Sequence, residues 1–452
     1  MKIIIIGAGK VGKKIADQLI LEDHDIIIID NDIATINSMM NNQDVMCIHG
    51  DGAHYEVQLE AGVDTADVVI ATSPSDEVNM LCCLIAKKIG AKRCIARVRT
   101  PEYFRQLGYI KSDLGISVAV NPEFAAASEI ARVLLLSAAS KIEVFANGRI
   151  ELVEFKINET SPLIGHTLAE IYKTLKVKFL VCIAQRDGEI IIPDGNFIPQ
   201  AGDRISIASN HAEAEKFFKK IEANYDKIKT VMIIGGGRIC YYLAKQLSES
   251  GMTVKIIESD YNHCLELSEL LSGVTIINAD GTDHNVLKEE GIESADAFAA
   301  LTGIDEENMI MSIYARNKNV SKVVAKVNRG SYLNIADSIG LDSLVSPKQL
   351  AANNILGYIR AMKNSEHSNN IETIYKLVDG KAEALEFVIR EKTDYTGKKL
   401  RDMRTRKDVI IAGIVRNRRT IIPNGDDTLE VGDSVIVVSA AEIIDDLEEI
   451  FI

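Results

Sequence analysis

Gly7, Gly9 and Gly12 stand at the spacing G-x-G-x-x-G directly behind an apolar run, KIIII, and Gly235 and Gly237 stand behind a second run, TVMII. That spacing serves one kind of chemistry. The first glycine makes a tight turn, the second lets the backbone close on a phosphate, and the third packs helix against strand, so that free helix N–H groups and the helix dipole receive an anion. An acid follows each turn about twenty residues on, Asp30 and Glu258, placed to accept from a ribose hydroxyl. Asn31 and Asp32 add no cation beside Asp30. An adenine nucleotide without a 2′-phosphate is therefore expected there. Cys240 occupies the third glycine's place in the second copy, where its side chain is expected to hold the helix slightly off the strand.

Other residues able to contact a nucleotide end later apolar runs of the first copy. Asp51, Thr72, Ser73, Arg97 and Arg99 all fall at strand carboxyl ends, the edge where doubly wound sheets bind ligands. Alternate residues of a strand share a face, so the two guanidinium groups are expected to converge, on a phosphate or on nearby acids such as Glu77. In the second copy Lys326, Asn328 and Glu306 stand at these places. GxxxxGK[ST] is absent from both turns, which removes the usual machinery of nucleotide hydrolysis. His49 and His54 flank Asp51 without both recurring in the second copy, so no metal is expected. No GxSxG, HExxH or paired carboxylates suggest a catalytic residue.

The elements that must position these residues are written twice. Gly7 recurs as Gly235, GDGAHYEV as ADGTDHNV, DEVNM as DEENM and IIIPDG as TIIPNG, at nearly constant spacing, which marks a duplicated unit. Continuous apolar strands alternating with helix-period segments specify a doubly wound parallel sheet for 1–140 and again for 226–369. A helix is expected from Pro122 to Ser140, opened by Asn121 as cap. Closely spaced strands joined by DG turns, with a short helix after Gly165 and an amphipathic helix at AEAEKFFKKI, make 141–225 a small α+β module. The same succession is expected in 370–452, after a polar linker, Lys363 to Asn370.

Composition limits the partners. A net charge of −14 disfavours nucleic acid, and no apolar run approaches the roughly 20 residues of a membrane-spanning helix. The start at Met1 leads into a strand without a secretory signal, so a cytoplasmic location is expected. The seven cysteines lie on apolar segments and read as reduced core thiols. Modules of about 80 residues are small for the substrate domain of a dehydrogenase, although a nicotinamide-dependent oxidoreductase is the main alternative function. Asp426, Asp427 and Glu430 could instead feed an ion-sensing site.

A Rossmann unit ending in a long helix, followed by a small α+β module, twice over, resembles the regulator of potassium conductance (RCK) domains. In tandem form it is similar to the TrkA family of potassium-uptake regulatory subunits. GAGKVG with Asp30, Ser73 before DEVNM, ARVRTPEY and the IIPDG and IIPNG turns carry the resemblance, which spans essentially the whole chain. It implies a protein that responds to NAD(H) or ATP and ADP, assembles as a homotetramer, and sits on a membrane-embedded potassium-translocating partner of the TrkH or TrkG kind. It also implies a first nucleotide site from Gly7, Ala8, Gly9, Lys10, Val11, Asp30, Asp51, Ser73, Pro74, Arg97, Val98 and Arg99. A second would come from Gly235, Gly236, Gly237, Arg238, Ile239, Glu258, Asp280, Thr302, Gly303 and Lys326.

Overall fold

The computed structural model describes residues 1–22, 24–42, 45–136, 138–221, 228–335, 341, 343–366, 371–377, 381–440, 444 and 446–452. The apolar run at the start becomes β1 (Lys2–Ile6), whose Ile3, Ile4 and Ile5 are wholly buried, as a strand covered on both faces requires. It leads through α1 (Lys10–Ile20), β2 (Asp25–Asp30), α2 (Ile33–Asn42), β3 (Met46–His49) and α3 (Tyr55–Glu60) to β4 (Val68–Ala71). Then come α4 (Asp76–Ile89), β5 (Arg93–Arg97), α5 (Pro101–Ile110), β6 (Val118–Val120) and α6 (Pro122–Leu135). All strands run parallel in the order β3-β2-β1-β4-β5-β6. The order reverses between β1 and β4, and the ends of those two strands flank the crevice of such a fold. The second copy repeats this, with Thr230–Ile234 paired in parallel to Thr253–Glu258 on one side and Ala297–Ala300 on the other. The doubly wound class expected from the sequence is the class observed.

Two details differ from expectation. Helix α6 ends at Leu135, short of Ser140, and Ser140 already donates its N–H to Glu154 O at the rim of the next sheet. Helix Pro347–Glu366 runs into the stretch read as a polar linker, whose residues 367–370 lie outside the described residues.

The chain forms two compact units, residues 1–131 with 229–359 and residues 132–228 with 360–452. Each joins matching parts of the duplication. In the first unit, Asn121 is a junction between the copies. Its Oδ1 caps α6 at Phe124 N (2.9 Å), and its Nδ2 donates to Tyr242 Oη of the second copy (2.9 Å) and to Arg99 O (3.3 Å). Phe124 meets Tyr242 edge to face at 5.3 Å, and Gln246 Nε2 reaches Ser128 Oγ at 3.2 Å. Asn121 is buried, so Asn121→Ala removes a cap and the buried hydrogen bonds to Tyr242 Oη and Arg99 O. The expected cost is about 2 to 3 kcal/mol, read as a lower urea midpoint, and a loss under about 0.5 kcal/mol would contradict this role.

In the second unit the first module is a five-stranded antiparallel sheet with two helices, Leu168–Leu175 and His211–Lys220. Thr167 and Glu170 close a capping box on the former. The second module has a matching sheet, but where the short helix was expected it has a single 3-10 turn, Leu400–Asp402. The apolar faces share one core, with Phe145, Ile150 and Cys182 against Leu377, Ala384 and Val438. Buried Glu386 of the second module accepts from Ala146 N of the first at 3.1 Å.

Candidate functional site

The first glycine turn is set by space as much as by backbone freedom. Gly7 has φ +95°, and a Cβ there would lie 2.8 Å from Ser73 N; at Gly12 it would lie 2.0 Å from Gly7 O. Gly9 differs. Its backbone is extended (φ −64°, ψ −174°), it starts α1 without a side-chain cap, and a Cβ would meet nothing within 4 Å. The amides of the first turn of α1 therefore lack the side-chain acceptor that usually serves them, and a phosphate oxygen suits that role. Asp30 closes the turn by accepting from Ala8 N at 2.6 Å through Oδ2 and from Asp32 N at 2.8 Å through Oδ1. Each carboxylate oxygen retains a second acceptor site for a ribose hydroxyl.

The opposite wall is the loop after β4. Asn79 fixes it by accepting from Ser73 N (2.8 Å) and donating to Ser73 O (3.1 Å) and Arg97 O (2.9 Å). The guanidinium of Arg97 donates to Ser73 O and that of Arg99 to Pro74 O, so the two arginines hold adjacent carbonyls of one loop. Asp76 is the acid paired with Arg99 (3.5 Å), and it also accepts from Arg99 N and Thr100 N. Burial pushes the basicity of the Arg97 guanidinium down, and Arg99 adds to this; the buried Nε of Arg97 has no protein partner among the described residues. An anion would relieve both conditions.

Turn and loop open onto one cavity of about 800 Å³, and the second copy forms its far side. Gly9, Lys10, Val11, Asp30, Asp51, Thr72, Ser73, Pro74, Arg97 and Arg99 line it together with Gly237, Arg238, Ile239 and Lys326. Burial lowers the basicity of Lys326, which donates to Thr302 O at 2.7 Å. Two further lining residues, Glu123 and Lys348, do not stand out in the sequence. Each follows the proline that opens a helix, at Asn121-Pro122-Glu123 and Ser346-Pro347-Lys348, so setting the repeats side by side exposes the reversal of charge. Burial raises the Glu123 carboxyl, against the pull of Arg99, Arg238 and Arg97, and its Oε2 has no hydrogen-bond partner among the described residues.

Other expected residues fall elsewhere. Val98 is wholly buried in the core, and Glu77 bonds Ser75 Oγ at 2.6 Å instead of either arginine. Ala8 and Gly12 shape the turn without lining the cavity, whose walls also exclude Gly235, Gly236, Glu258, Asp280, Thr302 and Gly303. Around the second turn the geometry repeats. Glu258 accepts from Gly236 N (2.6 Å) and Asp260 N (2.8 Å), and Asp280 accepts from Thr282 N (2.9 Å). Gly237 has φ −61° and ψ −179°, close to Gly9, so Cys240 leaves the turn's conformation intact where a displaced helix was expected. Glu306 pairs with Arg329 (3.0 Å) and Tyr332 (2.6 Å). His49 Nε2 lies 3.1 Å from Asn31 O, and His54 pairs with Asp51 at 3.7 Å. Among the described residues no cluster of three His, Cys, Asp or Glu is placed to hold a metal, and no helix is long and apolar enough to cross a membrane.

Comparison with known proteins finds the TrkA-N domain at residues 3–122 and 231–347 and the TrkA-C domain at 152–222 and 384–452. The chain is 36% identical over 451 residues to a Trk system potassium uptake protein TrkA homolog of Archaeoglobus fulgidus, covering all of both chains. It is 30% identical to the Trk system potassium uptake protein TrkA of Haemophilus influenzae, covering all of this chain and 98% of the other. Among solved structures, the GsuK channel aligns with TM-score 0.67 at 17% identity, over 99% of this chain and 77% of that one. The GsuK channel bound to NAD aligns with TM-score 0.64 at 18% identity, over 97% and 76%. These distant likenesses bear on the fold alone.

Proposed function

We infer the function from one premise: this chain belongs to the TrkA family of Trk potassium-uptake proteins. It is a regulatory subunit that binds NAD(H), ATP or ADP and controls potassium movement through a membrane-embedded partner of the TrkH or TrkG kind. It works as a homotetramer at the cytoplasmic face of the membrane, with domains 1–140, 141–225, 226–369 and 370–452, and it carries no catalytic residue. The relatives bear potassium-uptake names, and none supports the oxidoreductase alternative.

One observation carries this reading: the glycine turn of the first copy and cations of the second line the same cavity. An adenine nucleotide seated by Asp30 and Gly9 extends its phosphates toward Arg97, and a third phosphate would come under the influence of Arg99 together with Arg238, Lys326 and Lys348. NAD(H) would present a nicotinamide nucleoside in that place, cationic in NAD and uncharged in NADH, with no third phosphate in either. Ligands that differ there favour different angles between the copies, and a ligand shifts that equilibrium only by its differential affinity, roughly 1 to 3 kcal/mol in coupled systems. Arg99→Ala is expected to weaken ATP about tenfold or more and NADH about threefold or less, since hydrogen bonds to charged groups contribute about 1.5 to 3 kcal/mol. Isothermal titration with ATP, ADP, NAD and NADH tests this, and equal losses would refute the role of Arg99.

A further inference from the structure

The second glycine turn and the helix that follows its acid repeat those of the first at a constant spacing of 228 residues: Gly235 for Gly7, Glu258 for Asp30, Asp260 for Asp32 and His263 for Thr35. The last substitution changes what stands at the turn. Thr35 donates to Asp32 at 2.6 Å and lines the cavity. His263 reaches back from its helix, Tyr261–Leu270, with Nε2 2.9 Å from Gly236 O and Nδ1 3.1 Å from Glu266 Oε2. Both neighbours are acceptors. A neutral imidazole has a single N–H, so only the doubly protonated ring satisfies both.

The surrounding charges favour that form. Glu258 at the strand end and Glu266 one turn on are the acids that act on the ring, while Asp260 caps the helix by accepting from the backbone N–H of His263. Burial opposes the charge, but the Gly236 carbonyl, Glu266 and Glu258 outweigh it and raise the basicity of His263.

We propose that His263 decides whether the second glycine turn takes a nucleotide: with two N–H groups the imidazolium ties the turn to the following helix across the place where a ribose would meet Glu258, and the neutral ring, with one, holds it more weakly. This rests on reading the glycine turns as nucleotide sites. A ligand at the second turn must displace the ring from Gly236, and the first turn, with Thr35, poses no such obstacle. Because folding raises the pKa of His263, the clasp is complete below that value and loses one hydrogen bond as pH rises through it. Binding at the second turn therefore strengthens with rising pH, by up to about tenfold per pH unit, while binding at the first does not follow His263.

Isothermal titration of the full chain with ADP at about pH 6 and about pH 8.5 tests the clasp on the natural protein, His263→Thr and His263→Gln. The natural protein is expected to bind about one equivalent at the lower pH and about two at the higher. The Thr variant should bind both equivalents throughout, and the Gln variant should lose the pH dependence. A pH-independent single equivalent in all three proteins, or weaker second binding in the Thr variant, overturns the clasp and leaves the first site standing. No binding in any of them overturns the nucleotide reading and the clasp together.

Discussion

Gly9→Asp is expected to leave the chain folded and to abolish nucleotide binding at the first turn. A Cβ at this position meets no atom within 4 Å, and the backbone there is extended, so the fold is expected to tolerate the substitution. The space it enters is the cavity, against the first amides of α1. A carboxylate about 4 to 5 Å from a phosphate at an effective dielectric constant near 20 costs roughly 3 to 4 kcal/mol, on the order of a hundredfold to a thousandfold in affinity. Thermal unfolding within about 2 °C of the natural protein, with binding lost to both ATP and NADH, is the expected pair of results. Retained affinity would move the site away from the turn. Gly7 would not give so clean a test, since φ +95° and the nearby Ser73 backbone make any side chain there a folding defect.

The second large effect is expected from a residue outside the first Rossmann domain. Arg238 opens the helix behind the second glycine turn, yet it lines the cavity with Gly9 and Arg97 and acts electrostatically on Glu123. Arg238→Glu replaces a cation by an anion where a third phosphate would point. Two charge changes at the edge of a partly desolvated cavity are expected to weaken ATP about a hundredfold, ADP about tenfold and NAD least. Titration of the three ligands gives the order. An identical loss for all three would indicate general disruption, and no loss for ATP would confine binding to the first copy.

What is legible in the sequence is what the backbone dictates locally. Gly7 must take positive φ, apolar strands covered on both faces must be continuous, and an acid must end the second strand, so the residues alone disclose the turn, the fold class and Asp30. The duplication is legible for the same reason. Contacts that depend on how the copies meet are not. No local pattern states that Arg238 and Lys348 share a cavity with Gly9, and Glu123 reads as an ordinary residue in the first turn of a helix. Arg97 and Arg99 are legible, but their hold on the Ser73 and Pro74 carbonyls is not, because strand alternation gives a side chain's face and not its partner. The helix expected in the second small module is a single turn, and a repeat inferred from matching strands does not guarantee matching helices. His263 escapes a reading by motif because its counterpart, Thr35, carries no charge to draw the eye.

The most direct measurement is a structure of the chain crystallised with ATP. The β- and γ-phosphates are expected within hydrogen-bonding distance of the N–H groups following Gly9, with a cation of the second copy, Arg238 first, on the terminal phosphate in the same cavity. ATP bound with no contact from the second copy, or the cavity empty at saturating ATP, would contradict this arrangement.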